Sequence, residues 1–387
     1  MKIYNDIFFV IDSENYDQNK KDLFYGYKWF EDEGFWLEVK HRPTKIHIYS
    51  SYISPIIVIY EKDDYWAISN SCYCLVNYLK ENDINLEINE EYLKYEALKT
   101  GAFNFKYFND ILLYKELKIN NYDEEVDIVD GKLSLVKKEF KFFEKDINYN
   151  LDTLWKWYER YYNLLVNKNH IYFGLSGGLD SRLLWYSFIR PNQNEVIINS
   201  YHNKSNADNY FDSELAGKVY KYYTGKDLIS TDLDHTKNIK SLDLMELNDD
   251  HFETVKRFFL GSCYNPPKLL VKADECFAVQ GIGTNIYRYE FQADWFINGI
   301  IRRFWASRSI ARYYVLKNTY IYPYLDSLLL NLDTKETDYL HTILYSLFAK
   351  DLLSNGIPFY THPKRGKFYF QEWKKDLFEK FSKIYKY

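Results

Sequence analysis

Ser176-Gly177-Gly178-Leu179-Asp180-Ser181 is the stretch of this chain whose residue types and spacing could do chemistry. Glycines let backbone N–H groups approach an anion closely, and the two hydroxyls add donors. The start of a following helix adds partial positive charge. Asp180 supplies the hard oxygen that a Mg2+ bridging two phosphates prefers. Together these describe a pyrophosphate site. It is not a Walker A loop, because no Gly-Lys-Ser/Thr follows, and not a dinucleotide fingerprint, because G-x-G-x-x-G is missing.

A strand must deliver the loop and a helix must carry it away. Ile171 to Gly174 reads as that strand, and Asp180 onward begins an amphipathic run. Further strands are expected at Val196 to Tyr201, Leu228 to Thr231 and Cys276 to Gln280. Between the first two of these lies a helix from Asp208 to Tyr223, with Phe211, Leu215, Val219 and Tyr222 on one side and Gly225 as its stop. Alternating strands and helices predict a parallel sheet, whose ligands sit at the carboxyl ends of its strands. Upstream, Asn150 is a plausible cap for a helix that aligns Leu151, Leu154, Trp155, Tyr158, Tyr162 and Leu165. From about Glu290 the chain reads mainly helical, broken at Tyr322–Asp326 and Pro358–Lys367, and it ends in a basic amphipathic run.

The first part reads differently. Two apolar runs flank Lys62-Asp63-Asp64, and Asp130-Gly131 carries a type I′ turn signal between Val126 and Phe140. A strand from Ile111 to Leu117 joins that second meander, and Asn89 caps a helix to Leu98. The pattern changes from period two to a helical period near Asn148. The expected division is therefore a mostly-β domain at 1–148 and an α/β domain at 149–387.

Bulk properties bound the partners. The chain has 387 residues, 47% hydrophobic and 27% charged, enough for two cores. A net charge of −5 speaks against a general nucleic-acid surface. Four cysteines make neither a disulfide framework nor a C-x-x-C pair, and His41 and His47 form no metal pattern. No apolar stretch approaches ~20 residues, and the N-terminal run is too short for a signal peptide. A cytoplasmic protein with no membrane partner is expected, and a homodimer is left open.

The string LSGGLDSR resembles the PP-loop of ATP pyrophosphatases, in the form found in asparagine synthetases, β-lactam synthetases and lasso-peptide cyclases. The likeness runs over about residues 150 to 370. Phe211 to Lys226 is similar to the family's second-strand helix, and Gln280 to Asn285 to its Gly-x-Gly-Ser/Ala-Asp loop. Tyr322-Pro323-Tyr324-Leu325-Asp326 is similar to the P-F/Y-L-D element, and Ile357-Pro358 with His362 to Gly366 to the terminal R-P-K-x-G element.

The resemblance implies a PP-loop, adenine nucleotide alpha hydrolase-like fold with a helical C-terminal part, preceded by an Ntn-glutaminase-like domain. It implies ATP and Mg2+ as cofactors and an AMP-forming amide ligation. By it, Leu175, Ser176, Gly177, Gly178, Asp180, Ser181, Gly281 and Gly283 contact nucleotide, Asp180 and Asn285 hold metal, and Lys364, Asp180 and Glu290 serve catalysis. Lys364 would face the developing pyrophosphate as a fixed cation.

Two departures bear on activity. Asn285 stands where the family has a second metal-binding aspartate. Ile282, which can do no acid–base work, stands between the two glycines, so that Tyr287, Glu290 or Asp294 would have to serve. The glutaminase nucleophile is a cysteine at position 2, where this chain has Lys2, so the amine is expected from a source other than glutamine. The leading expectation is a ligase acting on a small-molecule or peptide carboxylate. The alternative is a catalytically impaired relative that binds nucleotide.

Overall fold

The computed structural model describes residues 1–4, 7–18, 21–91, 112–138, 151–166, 168, 171–191, 196–202, 207–232, 244–246, 269–271, 277–279, 297–298, 301–302, 306–316 and 319–330. The chain is mixed α/β and divides into two units. One is Met1–Lys141 with Met245–Leu270 and Tyr289–Lys317; the other is Phe142–Leu244 with Val271–Arg288 and Asn318–Tyr387. The first unit thus takes in two later segments of the chain.

The described strands of Met1–Lys141 in the first unit are β1 (Lys2–Tyr4), β2 (Phe8–Asp12), β3 (Leu23–Lys28), β4 (Gly34–Arg42), β5 (Lys45–Ser50), β6 (Val58–Lys62), β7 (Tyr65–Ser69), β8 (Leu117–Ile119), β9 (Glu124–Val129) and β10 (Lys132–Lys137). They form two antiparallel five-stranded sheets, ordered β1-β2-β7-β6-β8 and β10-β9-β5-β4-β3. Every residue of β2 is buried. Helix α1 (Cys72–Glu81) packs on β2 and β7, and Tyr25 of the other sheet meets Phe8 with ring centroids 6.1 Å apart. A strand covered on both faces needs an unbroken apolar run, which Phe8-Phe9-Val10-Ile11 provides. By contrast β5 alternates, with Ile46 and Ile48 buried and Lys45, His47 and Tyr49 half-buried on the opposite face.

Both expected hairpins form. Asp130 and Gly131 have φ of 48° and 77°, the two positive values a type I′ turn requires, and Val129 pairs with Lys132 across it. Lys62 pairs with Tyr65 around Asp63, at φ 54°. The meander expected after Ile111 is split instead, because β8 pairs with β6 whereas β9 pairs with β5 and β10. Helix α1 was not foreseen. Its cap is Ser71, whose Oγ accepts from the Cys74 amide at 3.3 Å, an interaction worth about 1 kcal/mol. Asn89 Oδ1 accepts from the Glu91 amide as a cap does, and the rest of that predicted helix lies outside the described residues.

The second unit carries α2 (Leu151–Leu165), β11 (Ile171–Gly174), α3 (Leu179–Leu184) continued by a π turn at Trp185–Ile189, β12 (Val196–His202), α4 (Ala207–Thr224) and β13 (Ile229–Asp232). A two-stranded sheet, lying mostly in the Met245–Leu270 segment of the first unit, pairs β14 (Leu244–Glu246) with β15 (Leu269–Val271). The remaining strands are β16 (Phe277–Val279) and β17 (Thr319–Ile321). The main sheet runs β13-β12-β11-β16-β17 with every pair parallel. β17 lies in a region expected to be mainly helical; its three residues are too few for periodicity to betray a strand.

Side-chain facing departs from expectation in two helices. In α2 the buried residues are Trp157, Tyr161 and Leu165, with Tyr158 and Tyr162 half-buried. The side chains of Leu151, Leu154 and Trp155 lie outside the described set. In α4, Leu215, Ala216 and Val219 are buried, but Tyr222 is 57% exposed. A tyrosine at a helix end can leave the core at little cost because its hydroxyl prefers water. Gly225 ends α4 as foreseen, at φ 70° with its amide on the Lys221 carbonyl at 2.8 Å.

Candidate functional site

β11 is the middle strand of the parallel sheet, and the chain passes from it to β12 on one side and later to β16 on the other. The order of connection therefore reverses at β11. The crevice at the carboxyl end of such a strand is where open parallel sheets bind ligands. Ile171, Tyr172 and Phe173 are buried and fix the strand. Leu175, 1% exposed, anchors the exit, and the glycine loop follows at that end.

The loop closes on itself through its two hydroxyls. Ser181 Oγ accepts from the Ser176 amide at 3.1 Å and lies 2.8 Å from Ser176 Oγ. It also reaches the carbonyls of Ser176 at 3.1 Å and Gly178 at 3.2 Å, one of which its single proton can serve at a time. Ser176 Oγ accepts from the Gly178 amide at 3.2 Å. From below, Arg182, 4% exposed, directs its amide and its Nε to the Gly178 carbonyl at 3.3 and 3.4 Å. In this arrangement the hydroxyls hold the loop's shape.

Gly177 and Gly178 lead into the first turn of α3, whose amides by helix geometry have no acceptor within the helix. Gly178 has ordinary extended angles, φ −66° and ψ 150°, so it is not needed for an unusual backbone. What its missing Cβ provides is room: a Cβ there would stand 3.2 Å from Ser176 Oγ. Asp180, half-buried, sits in the first turn, where a carboxylate suits the helix dipole.

The Tyr322–Asp326 element meets this loop. Tyr324 Oη donates to the Asp180 carbonyl at 3.0 Å. Pro323 to Leu325 form one 3-10 turn, all buried. Trp157 of α2 donates its Nε1–H to the Pro323 carbonyl at 2.8 Å, and its ring stacks on Tyr324 with centroids 6.1 Å apart and planes at 21°. Asp326, 0% exposed, accepts from the Leu328 amide at 2.8 Å and faces Arg160 NH1 at 3.5 Å. A charged group this deep is tolerated because it is both capped and paired.

Among the sequence-predicted site residues, the structure brings together Leu175, Ser176, Gly177, Gly178, Asp180 and Ser181 as one loop. Gly281, Ile282, Gly283, Asn285, Tyr287, Glu290, Asp294 and Lys364 lie outside the described residues, as does the Pro358–Lys367 break. Trp157, Arg160 and Arg182 were not foreseen. Arg182 could have been suspected as the last residue of the LSGGLDSR string, whereas Trp157 and Arg160 reach the site only through tertiary packing.

No family model matches the chain, and no curated protein does. Solved structures give faint likenesses. The U34-tRNA thiolase NcsA from Methanococcus maripaludis, determined with its 4Fe-4S cluster, aligns at TM-score 0.26 and 16% identity over 63% of this chain and 86% of that one. The glutamine phosphoribosylpyrophosphate amidotransferase from B. subtilis, complexed with ADP and GMP, aligns at TM-score 0.16 and 10% identity over 77% of this chain and 59% of that one. At this level the function has to be argued from the site itself.

The donor set suits a phosphate carrying Mg2+. The loop offers amides and a small-residue surface to an anion, and Asp180 offers one hard oxygen to the cation. Among the described residues no group of three His, Cys, Asp or Glu could hold a metal alone. Mg2+ takes one or two carboxylates and completes its shell with phosphate oxygens and water. Also among the described residues, no helix is long and apolar enough to cross a membrane.

Proposed function

We propose that this chain is a PP-loop ATP pyrophosphatase that adenylates a substrate carboxylate and joins it to an amine not released from glutamine. The observation that carries the reading is the Ser176–Ser181 loop: self-closed by its hydroxyls, bearing Asp180, and seated at the carboxyl end of the central strand where the connection order reverses. The contact of that loop with Tyr322–Asp326 adds to it, because two strings singled out separately in the sequence meet.

In the reaction proposed, a substrate carboxylate oxygen attacks the α-phosphorus of ATP and the bond to the bridging oxygen breaks, releasing pyrophosphate. The amine nitrogen then attacks the acyl carbon, AMP leaves with the bonding pair, and the amine gives up a proton. The Gly177 amide and those of the first turn of α3 beyond Gly178, whose own N–H bonds Ser176 Oγ, would hold the departing phosphates and offset their charge without reorganising. Asp180, with Asn285 by resemblance, would hold Mg2+, which when bound neutralises pyrophosphate charge. Lys364 supplies a second fixed positive charge, and Glu290 is the candidate proton acceptor.

The test is release of AMP and pyrophosphate from ATP with Mg2+ across a panel of carboxylic acids and amines. Wild type is expected to give substrate-dependent AMP, and Asp180→Ala to lower it by about 10²-fold or more. The departures at Ile282 and Asn285 favour a second reading, a nucleotide-binding relative without ligase chemistry. Mg2+-dependent ATP binding with no AMP under any substrate pair would select it.

A further inference from the structure

We infer that Tyr324 is a positioning residue for the metal-binding carboxylate, acting through the peptide of Asp180; the inference rests on the nucleotide reading of the loop. Tyr324 is itself buried and anchored. Its ring is 0% exposed and stacked on Trp157, and its own turn is fixed at the Pro323 carbonyl by Trp157 and at Asp326 by a cap and Arg160. None of these anchors involves the glycine loop. The hydroxyl is therefore a donor whose place is set from outside, and it bonds the carbonyl of the one acidic residue in the loop at 3.0 Å.

The bond matters because of where it falls. The Ser176 and Ser181 hydroxyls tie the backbone at Ser176 and Gly178, and Arg182 bonds the Gly178 carbonyl as well. The Asp180 peptide itself begins a six-residue helix that gives way at once to a π turn. A helix so short holds its first turn weakly by its own ladder, and the Tyr324 hydroxyl adds a tie from a different element. Fixing the Asp180 backbone limits where its carboxylate can go, which lowers the entropy lost when a cation is bound there. The Tyr324 hydroxyl bonds a carbonyl of the loop, that of Asp180, and not an amide that would meet phosphate.

Tyr324→Phe separates these roles, since it keeps the ring and removes only the hydroxyl. In the free protein, hydrogen exchange by mass spectrometry is expected to quicken across 180–184. ATP binding measured by calorimetry over a Mg2+ series is expected to need roughly fivefold more Mg2+ for half its effect, with metal-free ATP affinity unchanged within about twofold. Equal weakening with and without Mg2+ would mark a merely structural role and overturn the inference. Unchanged exchange or an unchanged Mg2+ requirement would overturn it too. Should wild type bind no ATP with or without Mg2+, the nucleotide reading fails first and the inference with it.

Discussion

Arg302 in the first unit and the Ser176–Ser181 loop in the second are both knots of hydrogen bonds, but they are built to opposite ends. Arg302, 0% exposed, sends Nε to the Ser54 carbonyl at 3.1 Å and NH1 to the Asn120 carbonyl at 2.7 Å and Asn298 Oδ1 at 2.9 Å. Its NH2 reaches Asn120 Oδ1 at 2.9 Å. Asn120 in turn pairs with Ile57 through its amide and its side chain. Every direction is closed by the chain itself, so this cation holds the fold and has nothing left to offer a ligand. The glycine loop differs: two small neutral hydroxyls and Arg182 bond its own backbone at Ser176 and Gly178, while the Asp180 carboxylate stays half-exposed. Polarity alone therefore does not mark a site; what distinguishes the two is whether the polar groups are saturated inward.

The largest test of that contrast is to remove each knot's key residue. Arg302→Met keeps the volume but takes the donor from the backbone carbonyls of Ser54 and Asn120, each costing about 1–3 kcal/mol, against which stands relief from burying a charge. A net loss of about 3 kcal/mol is expected from urea unfolding. In the same assay Asp180→Ala should stay within about 1 kcal/mol of wild type, the range of a first-turn acid on a helix dipole. Comparable losses from both would dissolve the distinction.

The two regions also differ in how legible they were. The loop was readable because its chemistry is contiguous: strand, glycines, hydroxyls and acid lie within a dozen residues. The same holds for Asp130-Gly131, where a dipeptide dictates two positive φ values. The Arg302 cage joins residues 182 and 248 apart in sequence, and nothing local at Asn120 or Ser54 announces a buried guanidinium. Partner choice was equally hidden for β8, whose residues look like those of β9 but join the other sheet. On α2, aromatic residues occupy so many positions that periodicity could not single out Trp157 and Tyr161 as the buried ones. Of the site, half was visible as strings; that Tyr324 touches Asp180 required the fold.

A smaller effect follows from a second, largely buried cation in the first unit, Lys138. Lys138 donates to the Ser50 carbonyl at 2.7 Å and lies 3.8 Å from Glu125 Oε1. Burial pulls its pKa down to about 8, with Glu125 pulling the other way and Arg302 adding to the fall. Between pH 8 and the ordinary lysine value of 10.5 the unfolded chain holds a proton that the folded one has released, so stability rises with pH over that window. Relative to Lys138→Met, wild type should gain up to about 1.4 kcal/mol per pH unit there. Above pH 10 the buried Tyr25, and Tyr78 raised to about 12 by burial and Asp12, keep protons that the unfolded chain loses, so absolute stability then falls for both proteins. A difference between the two proteins that does not change from pH 8 to 10 would show that Lys138 titrates as if exposed. The glycine loop's shaping bonds, being hydroxyl and amide bonds, should give no such slope.

The finest test sets one glycine against another. Gly131 is a glycine by conformation: at φ 77° a Cβ is strained, and it would also stand 3.2 Å from the Tyr16 ring. Gly131→Ala should therefore cost about 1 kcal/mol or somewhat more in unfolding free energy, with ATP affinity unchanged. Gly178 has a φ any residue adopts, and the atom its Cβ would meet is the Ser176 side-chain oxygen at 3.2 Å, which need give by only a few tenths of an ångström within its bonds to Ser181 and Gly178. Gly178→Ala is accordingly expected to change stability by no more than about 0.5 kcal/mol. Its Cβ would, however, occupy the surface across which the loop amides approach a phosphate, so ATP binding should weaken roughly tenfold or more. If instead Gly178→Ala loses stability and keeps its ATP affinity, the glycine serves the turn, and the comparison between a knot that holds the fold and a loop that holds a ligand loses its sharpest example.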